Sequence, residues 1–360
     1  MGPKAERQEK VKTKVVKINP DQMDIADIRE AAELIRTGGL VAFPTETVYG
    51  LGADALCPKA AKKIYAAKGR PSDNPLIVHI AEYSQLSAVA REVPEEADLL
   101  ARAFWPGPLT MIVRKNQSVP SETTGGMDTV AVRMPSHPAA LGLIRESGCL
   151  IAAPSANVSG RPSPTEAAHV AADMDGRIPM ILDGGPVGIG IESTIVDLTE
   201  EVPMILRPGF VTAEMIGAVL GREIRLDPGI TASDSVIRPK APGMKYRHYA
   251  PKAELILAEG ETERVIAEIN RLTEEKRQKG LRVGVMAANE TAGRYKADCV
   301  LCLGPQGDGE AAARQLYGTL REFDRQKADI IYAESLTEKG VGAAVMNRLC
   351  KAAGHQVLYV

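Results

Sequence analysis

Cysteine is scarce and odd in number: five residues, at 57, 149, 299, 302 and 350, among 360. That excludes a small fold stapled by disulfides and points to a reducing compartment, the cytoplasm. Cys299 and Cys302 have C-x-x-C spacing but lie in the apolar run CVLCL with no second pair or nearby histidine. A buried strand is expected there, and no metal ligand is assigned. An excess of charge is also missing, because 44 Lys and Arg face 46 Asp and Glu. A chain of net charge −2 has no bulk attraction for nucleic acid, although a local basic cleft stays open. Aromatic residues make up only 4 %, and apart from the short cluster KYRHY at 245–249 no stretch interleaves them with cations as a stacking platform for single strands would. No apolar run approaches a membrane span. Residues 1–17 carry six Lys and Arg against two Glu and lack the apolar core of a secretory leader. Residues 1–19 are therefore expected to be a disordered basic tail, with weak RNA attraction as the alternative. Neither a Walker A sequence nor G-x-G-x-x-G in a βαβ context occurs, so the four glycines of DGGPVGIG carry little by themselves.

The length suggests two domains, and 44 % apolar with 25 % charged residues is globular composition. The first domain is organised around PTETVYGLGAD, residues 44–54. An apolar strand over 39–43 runs into a turn bearing Thr45, Glu46, Thr47 and Tyr49, with Gly50 and Gly52 expected to permit positive φ and close approach of a ligand. Such a turn at a strand's carboxyl end is where α/β sheets bind ligands. A helix over 23–37 precedes it, with Ile25, Ile28, Ala32 and Ile35 at helical spacing. A short helix over 59–67 follows and ends in KGR, which turns the chain basic beside the expected pocket. His79 lies in the strand PLIVHI, where a satisfied core histidine is the plain alternative to a ligand contact. Residues 82–104 read as one helix, and Trp105 as a core plug.

In TVAVRMP, alternation puts Thr129, Ala131 and Arg133 on one face. Arg133 needs a partner there, either a protein carboxylate or an anionic ligand. The segment CLIAAPSANVSGRPSPT repeats the strand, proline and hydroxyl-turn arrangement, and two such elements suggest one shared pocket. The first domain is expected over 20–229. Residues 230–251 hold three prolines and the cluster KYRHYAP, expected to act as a linker and lid. From 252 to 360 strands alternate with helices, which predicts a parallel sheet with right-handed crossovers.

KGR at 68–70 followed by SAN at 155–157 resembles the Lys-x-Arg and Ser-x-Asn constellation of YrdC/Sua5 proteins. PTETVYGLGAD, PLIVHI, VAVRMP and IEST fit the same family. Continuation through the linker and second domain resembles its long, Sua5-type form. The resemblance implies a YrdC-like twisted α/β domain followed by a smaller Rossmann-like α/β domain. It implies synthesis of threonylcarbamoyl-AMP and pyrophosphate from L-threonine, bicarbonate or CO2 and ATP, with Mg2+ on the phosphates. It also implies handover to a separate transferase complex for t6A modification of ANN-decoding tRNAs, with tRNA itself bound at most weakly. By similarity, Lys68, Arg70, Ser155 and Asn157 form the catalytic constellation. Threonine contacts Thr47, His79, Arg133, the backbone at Ala153, and Ser193. ATP lies against Arg70, Asn74, Thr129, Ser155, Ser163 and Arg207, and Tyr246 closes over it, with Tyr249 as the alternative. The family linker reads Ser-Pro-Gly-Met, and Ala241 stands here in place of that serine.

These residue types suit the chemistry. A guanidinium can hold a carboxylate bidentately. Lys68, Arg70 and Arg207 would stabilise charge building on phosphate oxygens. No strong general base is evident, so positioning and electrostatics are expected to dominate. A domain that grips RNA without chemistry is the reading from another class, weakened by the acidic balance. Carbamoyl transfer, as in hydrogenase-maturation proteins with YrdC-like domains, is weakened by the missing acylphosphatase and zinc-finger parts.

Overall fold

The computed structural model describes residues 11–22, 24–230, 248–336 and 339–360. Residues 231–247, most of the expected linker and including Ala241 and Tyr246, lie outside them, as do residues 1–10 of the expected tail. Two sheets, each covered by helices, carry the chain.

The first sheet is mixed and has eleven strands among the described residues. From one edge they run Lys14–Lys17, Met180–Asp183, Val41–Phe43, Gly50–Asp54, Ile151–Ala152, Ile77–His79, Thr129–Arg133, Leu109–Arg114, Thr194–Asp197, Met204–Arg207 and Arg225–Leu226. The helix Ile25–Arg36 starts at Asp24, whose carboxylate accepts the Ala26 N–H, and buries Ile28, Ala31, Ala32 and Ile35. That spacing is one helical stripe. It packs against Ala139, Ala140, Leu143 and Ile144 of the helix Pro138–Ser147. Trp105 plugs the core as expected, its indole donating to the Leu109 carbonyl at 2.7 Å.

Three expectations are corrected here. Lys14–Lys17 is not tail but an edge strand, parallel to Met180–Asp183, because a partner far along the chain satisfies its backbone. Residues 82–104 are not one helix but a 3-10 turn, Tyr83–Ala88, and a separate helix, Glu95–Phe104. Pro94 forces the break, since the residue before a proline is pushed to extended backbone. Gly50 and Gly52 do not have positive φ. They are strand residues, and a Cβ at 52 would stand 2.6 Å from the Phe43 ring and 2.8 Å from Ile151. Glycine there lets an aromatic ring lie flat on the neighbouring strand.

The second domain is the expected parallel sheet, in the order Cys299–Cys302, Val283–Ala287, Ile330–Glu334, Glu254–Glu259 and Val357–Tyr359. The last of these strands was not read from the sequence. Val265, Ile266 and Ile269 of the helix Thr262–Gln278 cover one face. The helices Gly309–Arg325 and Val341–Ala352 cover the other, in a cluster that also takes in Val48, Ile191 and Tyr249. The two domains thus share a core. Gly190, at φ +89°, makes the contact close: a Cβ there would lie 2.3 Å from the Ala313 carbonyl oxygen. Among the described residues no helix is long and apolar enough to cross a membrane.

Candidate active site

Register places the first polar groups. Ile77 lies beside Ala131, which faces Ile112, and these three share one sheet face with Ile195 and Leu206. Two residues further along each strand, on that same face, come His79, Arg133 and Thr110. Val130 and Val132 point into the opposite core, as the alternation predicted.

The two hydroxyl-rich turns close over this face. Gly50 bridges to Ser155, the Leu51 N–H donates to the Pro154 carbonyl at 2.8 Å, and the Ala156 N–H donates to the Tyr49 carbonyl at 2.8 Å. Between them opens a cleft of ≈ 710 Å³, its mouth included. Lys68, Arg70, Ser155, Asn157, Thr47, His79, Arg133, Ala153, Ser193, Ser163 and Arg207 all line it, so most of the expected site residues come together. In particular, the ammonium at 68 and the guanidinium at 133 face one cavity.

Each is held in a definite way. Lys68 is 1 % exposed, and its ammonium donates to the Ser155 carbonyl, to the Asn157 carbonyl at 2.6 Å and toward the Asn157 side-chain oxygen at 3.5 Å. Burial, reinforced by the charge of Arg70, lowers its pKa well below the usual lysine value. Arg70 donates to the Asn74 side-chain oxygen at 2.5 Å and to the carbonyls of Asn74 and Pro75. Asn74 therefore orients Arg70 from behind and does not itself line the cleft. Arg207 donates from Nε to the Ser193 carbonyl at 3.0 Å and from Nη2 to its hydroxyl at 3.1 Å, and that hydroxyl shares a 2.7 Å contact with Thr110.

The two alternatives for Arg133 turn out not to exclude each other. Its Nη2 donates to Glu46 at 2.6 Å and its Nη1 to the Thr47 hydroxyl at 2.9 Å, while it still lines the cleft. Glu46 is fixed in turn by the Ser136 N–H at 3.1 Å. His79 is buried beside this pair, and burial followed by the charge of Arg133 depresses its pKa to about 3. It is a neutral imidazole, its Nδ1 3.1 Å from the Ile77 carbonyl.

Two of the expected nucleotide contacts do not line the cleft, Asn74, which stands behind Arg70, and Thr129, which lies farther off. Thr129 starts the strand that Arg133 ends, faces Arg114 across the ladder, and does not line the cleft. Four residues of extended strand separate it from Arg133 by roughly 13 Å. Of the two tyrosines considered for the lid, Tyr249 is the one that can be located: it is buried, lines the cleft, and stacks on Tyr317 with ring centroids 5.3 Å apart. Its neighbour His248 also lines the cleft, and burial lowers its pKa to about 3.

Several residues were not anticipated. Glu192 lines the cleft and accepts the Ser163 hydroxyl at 2.5 Å, the Tyr317 hydroxyl at 2.8 Å and Arg348 Nε at 3.2 Å. Arg161, at the cleft wall, donates to Asp173 at 2.6 Å and to Asp324 of the second domain at 3.2 Å. Asp173 also receives Arg321 of the second domain at 2.9 Å. A signal for Arg348 existed: it sits three and four residues from Val345 and Ala344, and four from Ala352, on the apolar stripe of its helix.

A family model for Sua5, YciO and YrdC proteins, described as telomere recombination, matches residues 33–209. A second, described as threonylcarbamoyl-AMP synthase, C-terminal domain, matches residues 211–354. The chain is 54 % identical to the threonylcarbamoyl-AMP synthase of Pyrococcus abyssi, over 92 % of this chain and 96 % of that one. It is 54 % identical to that of Bacillus subtilis, over 92 % and 94 %. The crystal structure of P. abyssi Sua5 complexed with L-threonine superposes with a TM-score of 0.91 at 52 % identity, covering 96 % of this chain and 99 % of that one.

Proposed function

The chain belongs to the Sua5 family of threonylcarbamoyl-AMP synthases, and on that premise we propose that it is a nucleotidyltransferase joining L-threonine, bicarbonate or CO2, and ATP. The observation that carries this reading is the convergence of Lys68, Arg70, Arg133 and Arg207 with the hydroxyls of Thr47, Ser155, Ser163 and Ser193 on one cleft. Such a cleft suits a carboxylate and a polyphosphate held side by side.

In this reading the threonine carboxylate meets Arg133 between Thr47 and the backbone of Ala153, with Ser193 alongside. The neutral His79 adds no charge beside the amine, which must be unprotonated to take up CO2. Bonding of the amine nitrogen to CO2 releases one proton to solvent, and an oxygen of the resulting carbamate forms a bond to the α-phosphorus of ATP. The bond from that phosphorus to its bridging oxygen breaks, and pyrophosphate departs with the electron pair. Arg70 and Arg207 bring fixed positive charge to the phosphates, ordered before the reaction so that little reorganisation is needed. All three donors of the Lys68 ammonium are engaged by the Ser155–Asn157 turn, so its part is to shape that turn and add its field. Holding the reactants aligned is worth about 7–11 kcal/mol of barrier in well-oriented cases.

Mg2+ would enter on the nucleotide. Glu192, which lines the cleft, and Glu46, which stands beside Arg133, are both committed to protein donors, which fits an ion carried by phosphates. The product would pass to a separate transferase complex acting on tRNA, with tRNA touching this chain weakly. No disulfide joins the five cysteines among the described residues, which supports a reducing, cytoplasmic setting. The purified chain should release pyrophosphate from ATP only when threonine and bicarbonate are both present. Release indifferent to threonine would assign another acceptor and overturn the reading.

A further inference from the structure

Among the described residues, the second domain does not line the cleft but stands behind it, bonded to residues that do. Tyr317, Arg321 and Asp324 lie at spacings of four and three on the helix Gly309–Arg325, hence on one face, and Arg348 reaches in from the helix Val341–Ala352. Arg321 and Asp324 fasten the first domain through Asp173 and Arg161. Tyr317 and Arg348 do something different, because both end on Glu192, a carboxylate inside a cleft built for anions.

An ionised carboxylate beside Arg207 would by itself cancel that cation. Burial pushes the Glu192 pKa upward, but Arg348, Arg207, the Ser163 hydroxyl and the Tyr317 hydroxyl outweigh burial and hold it below the usual value. Glu192 is therefore charged, and Arg348 supplies the balancing charge from the side away from the nucleotide. Arg348 is 0 % exposed and is clamped further by the Pro208 carbonyl and the Glu192 carbonyl. In so dry a place the balance acts at full strength. On the cleft side, the 2.5 Å bond commits the Ser163 proton to Glu192, so its oxygen presents lone pairs to a ligand. A group that meets Ser163 must then donate, as a ribose hydroxyl does and a phosphate oxygen does not.

We propose that Arg348 and Tyr317 of the second domain are positioning residues for the nucleotide: through Glu192 they make Ser163 an acceptor for a nucleoside hydroxyl and preserve the positive charge of Arg207 for the phosphates. This rests on the synthase reading for the identity of the nucleotide. Catalytic contact stays with the first domain, and the second sets its electrostatics.

The test uses the full chain and four variants: Tyr317→Phe, Arg348→Met, Glu192→Gln and the pair Glu192→Gln/Arg348→Met. Calorimetry gives Kd for ATP and for threonine separately. Arg348→Met should weaken ATP about 30-fold by uncovering the Glu192 charge. Threonine should weaken less than about threefold, since Arg133, Thr47 and His79 bond neither Glu192 nor Arg348 and only Ser193 adjoins Glu192 in the chain. The double variant removes charge and counter-charge together, and ATP affinity should return to within about fivefold of the parent. Tyr317→Phe, which deletes one hydroxyl and spares the core, should weaken ATP about fivefold. The inference is overturned if ATP and threonine weaken together, if the double variant is no better than Arg348→Met, or if Tyr317→Phe leaves ATP unchanged. Should Arg348→Met fail to fold, Tyr317→Phe decides alone, and an ATP affinity equal to the parent's overturns the inference. Pyrophosphate release by the parent chain is measured in parallel. Its failure would sink the synthase reading while the ATP affinities still judge this one.

Discussion

Replacing Arg133 by alanine should cost threonine far more than ATP. A guanidinium has five N–H donors. Three are engaged inside the protein: Nε toward the Gly107 carbonyl at 3.4 Å, Nη1 to Thr47 at 2.9 Å and Nη2 to Glu46 at 2.6 Å. That leaves one on each Nη, the pair a carboxylate can take end-on. Two hydrogen bonds to charged groups are worth about 1.5–3 kcal/mol each, so about 3–6 kcal/mol is at stake. At 1.4 kcal/mol per tenfold, the threonine Kd should rise about 10²- to 10⁴-fold. Calorimetry reads this directly, with ATP expected to change less than about threefold. Part of the loss could come from Glu46, which the truncation strips of its cation and leaves facing the threonine carboxylate. The pair Glu46→Gln/Arg133→Ala separates the two causes. If that pair binds threonine within about fivefold of the parent, repulsion explains the defect and Arg133 holds no carboxylate. Equal losses for threonine and ATP would refute the assignment as well.

Two further outcomes follow from the same geometry. His79 has a folded pKa near 3 against an ordinary 6.5, so the unfolded chain takes its proton first as pH falls. Its stabilising contribution is complete above pH 6.5 and is lost progressively below it, with a slope of about 1.4 kcal/mol per pH unit. Urea midpoints followed downward from neutral pH should show that slope shallower in His79→Gln, and an unchanged slope would contradict the burial argument. Gly190→Ala would force a side chain at φ +89° to within 2.3 Å of the Ala313 carbonyl. A loss of about 2 kcal/mol or more and faster proteolysis between the domains are expected, whereas an unchanged melting temperature would mean that the contact is slack.

The hydroxyl-rich turns, the cations of KGR and the facing residues of TVAVR were legible because each follows from local pattern: a strand with a period of two, a proline, a turn. The shared cleft was inferable from their repetition. What stayed hidden depends on partners distant in sequence. Glu46 looked like one more polar turn residue until the strand bearing Arg133 was laid beside it. Glu192 and Arg348, 156 residues apart, meet only because two domains pack together. Lys14–Lys17 looked like solvated tail because its sequence, KVVK, has too little apolar character to announce a strand. Thr129 shares a face with Arg133, yet shared facing says nothing of distance along the strand, and the cleft occupies one end only.

That outermost strand has a further consequence. Any open sheet ends in a row of unmet backbone donors and acceptors on which a stranger's strand can lengthen it. Here the margin is only four residues long, and Lys14 and Lys17 both stand exposed along it. An incoming chain would have to disturb the Lys14–Glu30 ion pair and strip water from Lys17 for a few bonds in return. The two lysines thus work as a fender, discouraging fibre-like growth at this border of the sheet.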